Sequence, residues 1–170
     1  MTLAKLLDQA RPLSFIAQGF IALNVVESYF EKIGFKHPSV DTFFQHLWEL
    51  PMINEPKEFS AWEARRGDLT DFGLTDDLPD ELEECLAILP IDEAQLFKVV
   101  EAPVEILWGS FFSTPNPETT MAYLEFALTL AEKEGIIFPK VAPFQSSLWS
   151  DNNGWGNAID AEVCQQWREA

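Results

Sequence analysis

From Leu13 to Val26 the chain reads LSFIAQGFIALNVV, fourteen mostly apolar residues that leave a helix almost no face for water. Such a helix has to be wrapped by other elements. Pro12 suits its first turn, where a missing N–H costs nothing, and Gly34 suits its C-terminal cap, so a central apolar helix is predicted over 12–33. The rest of the chain should pack round it.

With Lys5 and Arg11 ahead of it, the same run has the outline of an export signal. Asp8 in the basic flank, Gln18 and Asn24 inside the run, and the lack of a small-x-small cleavage site after it favour a buried core helix instead. The run is also too short to span a bilayer. A cytoplasmic protein without a membrane segment is expected.

Elsewhere Pro and Gly punctuate the chain, and the apolar spacing between them is mostly three and four, the helical period. An all-α, single-domain bundle of about seven or eight helices is therefore predicted over 1–170, with an irregular tail over 136–170 packed on it. Leu3, Leu6 and Leu7 mark a short first helix at about Thr2 to Gln9. Ser39 is a cap candidate for a helix presenting Val40, Phe43, Phe44, Leu47 and Trp48. Asn54 is one for a helix with Pro56 in its first turn, burying Phe59 and Trp62.

Asp68 to Leu78 shows no period and reads as a loop. Pro79 opens an acidic helix with Leu82, Cys85, Leu86 and Leu89 inward. Asp92 and Gln95 form a capping-box pattern for the next helix, and Pro103 predicts a break or restart near its middle. Asn116, Pro117 and Glu118 start the best-defined helix, which Gly135 ends. Pro139, Pro143 and the Asn/Gly cluster at Asn152 to Asn157 argue for coil, with a last helical turn or two from Ala158 to Arg168 and short strands near Ile136 to Val141 as the alternative.

At 170 residues with 47% hydrophobic content, the chain can bury a sizeable core without staples. Cys85 and Cys164 form no C-x-x-C pair, so neither a disulfide framework nor a zinc site is signalled. Trp48, Trp62 and Trp108 read as core. Trp149, Trp155 and Trp167 read as a lid over a bundle edge, with interface anchors as the alternative.

The net charge is −17, and ten of those charges fall between Gly67 and Phe97, where no Lys or Arg occurs. The acids are Asp68, Asp71, Asp76, Asp77, Asp80, Glu81, Glu83, Glu84, Asp92 and Glu93. Acids in the first turn of the Pro79 helix interact favourably with its dipole. Like charges three or four apart repel, so the loop acids Asp68, Asp71, Asp76 and Asp77 most need a functional reason. A solvated face is the plain reading, and a docking face for a basic partner is the functional one.

Chemistry motifs are weak. His37 and His46 make no zinc pair, and His46 lies off the apolar stripe of its helix. Asp151, Asn153, Gly156 and Glu162 fall at calcium-loop positions, but Trp155 stands where a ligand is needed. Gly154-Trp155-Gly156 is no phosphate loop. Among the bases only Arg65 and Arg66 adjoin, too few for a nucleic-acid face.

The expectation is a non-catalytic protein with no cofactor and no metal that binds a basic protein through its carboxylates. Its most concrete form is an inhibitor or immunity protein neutralising a basic toxin such as a nuclease. A carboxylate-based, divalent-metal-dependent hydrolase or ligand-binding bundle, and an accessory subunit of a larger assembly, are the alternatives.

Overall fold

Every residue from Phe15 to Val26 is buried, and the helix that carries them, α2 (Phe15–Ile33), runs through the middle of the molecule. The computed structural model describes residues 1–170 as nine α-helices and three short 3-10 turns, with no strand. The other helices are α1 (Leu3–Ala10), α3 (Pro38–Glu49), α4 (Pro56–Glu63), α5 (Asp68–Gly73), α6 (Asp80–Leu86), α7 (Glu93–Phe111), α8 (Pro117–Glu134) and α9 (Ala161–Arg168). Helices α7 and α8 pack on α2 and on each other, α5 packs on α7 and α3, and α9 closes over α2. One apolar core runs from Leu6 to Trp167. No helix is long and apolar enough to cross a membrane.

The polar interruptions of α2 are structural ties. Buried Gln18 donates from Nε2 to the carbonyls of Ala10 (3.3 Å) and Leu13 (3.1 Å), fixing the turn from α1. Asn24 donates from Nδ2 to the carbonyl of Trp167 at 2.8 Å, holding α9. Buried polar groups need such partners.

Several boundaries differ from expectation. The central helix starts at Phe15, so Pro12 precedes it and does not sit in its first turn; Ser14 is its N-cap, its hydroxyl accepting from the Ala17 N–H at 3.1 Å. Gly34 ends it in the left-handed conformation, as expected. His37, not Ser39, caps α3, since Pro38 takes the first helical position and the preceding residue becomes the cap. For the same reason Glu55 stands before Pro56 in α4, while Asn54 donates to the Met52 carbonyl.

The stretch read as a loop contains α5, whose Leu69, Thr70 and Phe72 are buried. Its Gly73 backs onto α7 so closely that a Cβ there would lie 3.0 Å from Val104. Helix α7 runs through Pro103 without a break. Proline removes one helical hydrogen bond, but α7 is gripped along its length by α2, α5 and α8, and tertiary packing overrides the local preference. The capping box of Asp92 and Gln95 and the Asn116 cap form as expected.

The tail holds two 3-10 turns, Ala142–Ser146 and Asn152–Gly154, before α9, which Asp160 caps. No strand forms at 136–141. A single antiparallel bridge joins Leu13 to Leu148 instead, where Ser14 and Ser147 hydroxyls share a buried hydrogen bond of 2.7 Å.

Candidate functional site

Each of the ten acids between Gly67 and Phe97 now has a place. Asp68 and Asp71 lie on α5, Asp76 and Asp77 in the connection after it, Asp80, Glu81, Glu83 and Glu84 on α6, and Asp92 and Glu93 at the start of α7. Nine are exposed and Asp71 is half-buried. Only Asp71 is ion-paired, its Oδ1 accepting from Arg66 Nε at 2.5 Å, while the same guanidinium holds Glu63.

Five further acids have local duties. Asp92 accepts from the Gln95 N–H at 2.8 Å as the cap of α7. Asp80, Glu81 and Glu83 sit in the first turn of α6, where Pro79 supplies no side-chain cap and negative charge is favourable, and Glu93 sits in the first turn of α7. Of the four acids that seemed most in need of a functional reason, Asp68 opens α5 and Asp71 is spent on Arg66. Asp76 and Asp77 remain without a structural partner, and Glu84, past the first turn of α6, joins them.

Two features mark the same segment. Thr75 has φ 81, a left-handed conformation that is a genuine outlier for a β-branched residue. It ends α5 as the Asp76 N–H returns to the Asp71 carbonyl at 3.0 Å, and the strain is of the kind that collects at functional sites. Ile88, in the turn after α6 and between Glu84 and Asp92 in the chain, is 87% exposed, whereas Leu82 and Leu86 of α6 are buried.

The carboxylates do not converge: no three His, Cys, Asp or Glu side chains gather closely enough to hold a metal ion. That applies equally to the calcium-like register. There Asp151 spends its carbonyl on the Gly156 N–H at 3.0 Å, and Trp155 lies against Phe111 with ring centroids 5.2 Å apart. The geometry lends nothing to the metal-hydrolase alternative.

His46 is buried, which its position off the apolar stripe did not suggest. Its ring stacks on Trp62 at 4.4 Å and 2°, Nε2 lies 2.7 Å from the Trp62 carbonyl, and Trp62 Nε1 donates to the His46 carbonyl at 2.6 Å. Burial pushes the imidazole below its ordinary pKa, with the Trp62 carbonyl acting against that. The flat apolar ring serves as packing, and α4 is wide enough through Trp62 to cover it. His37 is spent as the cap of α3, and both cysteines are free thiols.

Trp48, Trp62 and Trp108 are core, as expected, and so is Trp167 from the tail. Trp149 and Trp155 are half-buried lid residues. At the far end of α7, about 27 Å from Glu93 by helical rise, a cavity of about 430 Å³ opens under Trp155. Its residues come from α2, α4, α7, the Leu50–Ile53 turn and the tail, so no local pattern announces it.

Comparison of the chain with protein-family models, curated proteins and solved structures finds no match in any of the three.

Proposed function

We propose that the surface from Asp68 to Glu93 docks a basic protein, and that the chain acts by binding rather than by catalysis. The observation that carries this reading is the set of exposed, unpaired acids in a stretch that has no cation and that also exposes Ile88. Charge of one sign speeds and selects association, while a desolvated apolar anchor supplies affinity. Ile88 is the proposed anchor, and the acids before and after it in the chain suit Lys and Arg. Inhibition of a basic toxin, whose phosphate-binding cleft would match the carboxylates, is the most specific form of the proposal.

The test is retention of proteins from an extract of the native host by immobilised protein, at low and at high salt. The wild type should retain a basic protein at low salt and release it as salt screens the charges. A variant carrying Asp76→Asn, Asp77→Asn, Glu84→Gln and Ile88→Ser should lose it. Retention of no basic protein, or retention indifferent to both salt and the substitutions, refutes the proposal.

A further inference from the structure

The cavity under Trp155 is built from rigid parts. Phe59 of α4 stands at 86° to Phe111 of α7, centroids 5.0 Å apart, and at 78° to Trp155, 6.0 Å apart. Ile16 and Leu50 complete the apolar floor. The outer wall is the tail loop, in which Asn152, Asn153, Gly154 and Gly156 all have positive φ, from 49° to 94°. That loop is pinned by Asp151, whose carbonyl accepts from the Gly154 and Gly156 N–H groups, and by the Ile159 N–H, which donates to the Pro51 carbonyl at 3.2 Å. Consecutive non-glycine residues in this conformation, here Asn152 and Asn153, persist where the surroundings hold them, and such residues gather at ligand clamps.

The size of the cavity lies in the small-molecule range, and an apolar lining with a few polar groups is the usual character of such sites. Its charge is the discriminating feature. Glu55 is the only ionisable residue in the lining; its side chain makes no capping bond to α4 and enters no ion pair. No Lys, Arg or His lines the cavity, and the whole chain is at −17. The side-chain amides of Asn152 and Asn157 add neutral polar groups at the rim. An anion finds no cationic group here, whereas a cation meets the Glu55 carboxylate and an aromatic lining of Phe59, Phe111 and Trp155.

We propose that this cavity is a binding site for a small organic cation, an ammonium group carried on a compact apolar or aromatic body. The body fills the corner between Phe59 and Trp155, and the charge lies toward Glu55. The site is separate from the acidic surface, so it stands or falls without the docking proposal.

Three probes of one shape test it: phenyltrimethylammonium, its neutral isostere tert-butylbenzene, and the anion benzenesulfonate, each titrated into the full chain while the indole N–H resonances are followed by NMR. The cation should bind about tenfold more tightly than the neutral isostere, shifting the Trp155 resonance first, and the sulfonate should leave the spectrum unchanged. Glu55→Gln, an exposed change that removes no observed bond, should weaken the cation several-fold and leave the neutral probe as it was. Trp155→Leu should weaken the cation more than the neutral probe. The proposal is overturned if none of the probes binds, if the neutral isostere binds as well as the cation, if Glu55→Gln alters nothing, or if the cation shifts other indoles and spares Trp155.

Discussion

Replacing Trp62 with alanine is expected to cost about 3–5 kcal/mol of unfolding free energy, the usual toll for a large aromatic residue lost from a core. Trp62 is the only buried residue of α4, a helix of eight residues. It is 1% exposed and lies among His46, Trp108, Phe59 and Phe111. Its indole N–H also satisfies the His46 carbonyl, so the substitution leaves a cavity and an unpaired acceptor together. With about 2–4 °C of melting temperature per kcal/mol for a chain of this size, the midpoint should fall by about 6–20 °C. Hydrogen exchange should show α4 opening ahead of the rest. Trp149→Ala, at a half-buried ring with no hydrogen bond to lose, is the comparison and should cost less. A loss under about 1 kcal/mol for Trp62→Ala, far below the usual large-aromatic cost, would mean that α4 is held by something else.

Gly156→Ala is the second large effect, about 3 kcal/mol or more when the strain, overpacking and cap terms are combined. Gly156 has φ 75, and a Cβ built there lies 2.2 Å from Ser147 Oγ and 2.9 Å from Ser14 Oγ. Those hydroxyls are buried and bonded to each other, and Ser14 caps α2. An added methyl group therefore drives the tail away from the start of the central helix. Gly154→Ala separates the causes, because Gly154 has φ 94 but its nearest foreign atom is at 3.3 Å, in the Trp149 ring. Unfolding by denaturant should show Gly156→Ala as clearly the worse of the two. Equal losses would show that backbone strain, and not the collision with the serine pair, sets the cost.

The helices that could be read from sequence are those whose signals are local. The apolar run of α2, the capping box of Asp92 and Gln95, and the Asn116–Pro117 start with its Gly135 end all act within a turn or two, and each forms as expected apart from the start of α2, which Ser14 sets three residues later. What could not be read depends on neighbours distant in sequence. Asp68–Gly73 shows no period because six residues hold too few turns to display one, and the segment is helical because Leu69 and Phe72 are buried under α3 and α7. Pro103 reads as a break until the helices on either side of it are known. His46 looks like a surface residue on its own helix, yet Trp62, sixteen residues on, buries it.

The acidic segment was legible as a charge count and not as a surface. Only the structure separates Asp71, paired with Arg66, and Asp92, a cap, from Asp76, Asp77 and Glu84, which support nothing nearby. Ile88 was equally hidden, since it continues the apolar sequence of α6 but falls past its end and turns outward. The cavity under Trp155 draws on five separate segments, and its one sequence trace was the Asn/Gly cluster that reads as a turn.

That these carboxylates serve a partner and not the fold is the central claim, and it can be tested on the isolated protein. The measurement is the unfolding free energy, at low ionic strength, of a variant carrying Asp76→Asn, Asp77→Asn and Glu84→Gln. Glu84 lies four residues from Asp80 and three from Glu81 on α6, spacings at which like charges repel by a few tenths of a kcal/mol. The variant should be as stable as the wild type or more so, by up to about 1 kcal/mol, with the difference shrinking as salt is added. A loss of about 1 kcal/mol or more, the scale of a missing cap or hydrogen bond, would contradict the account and return the acidic stretch to a structural role.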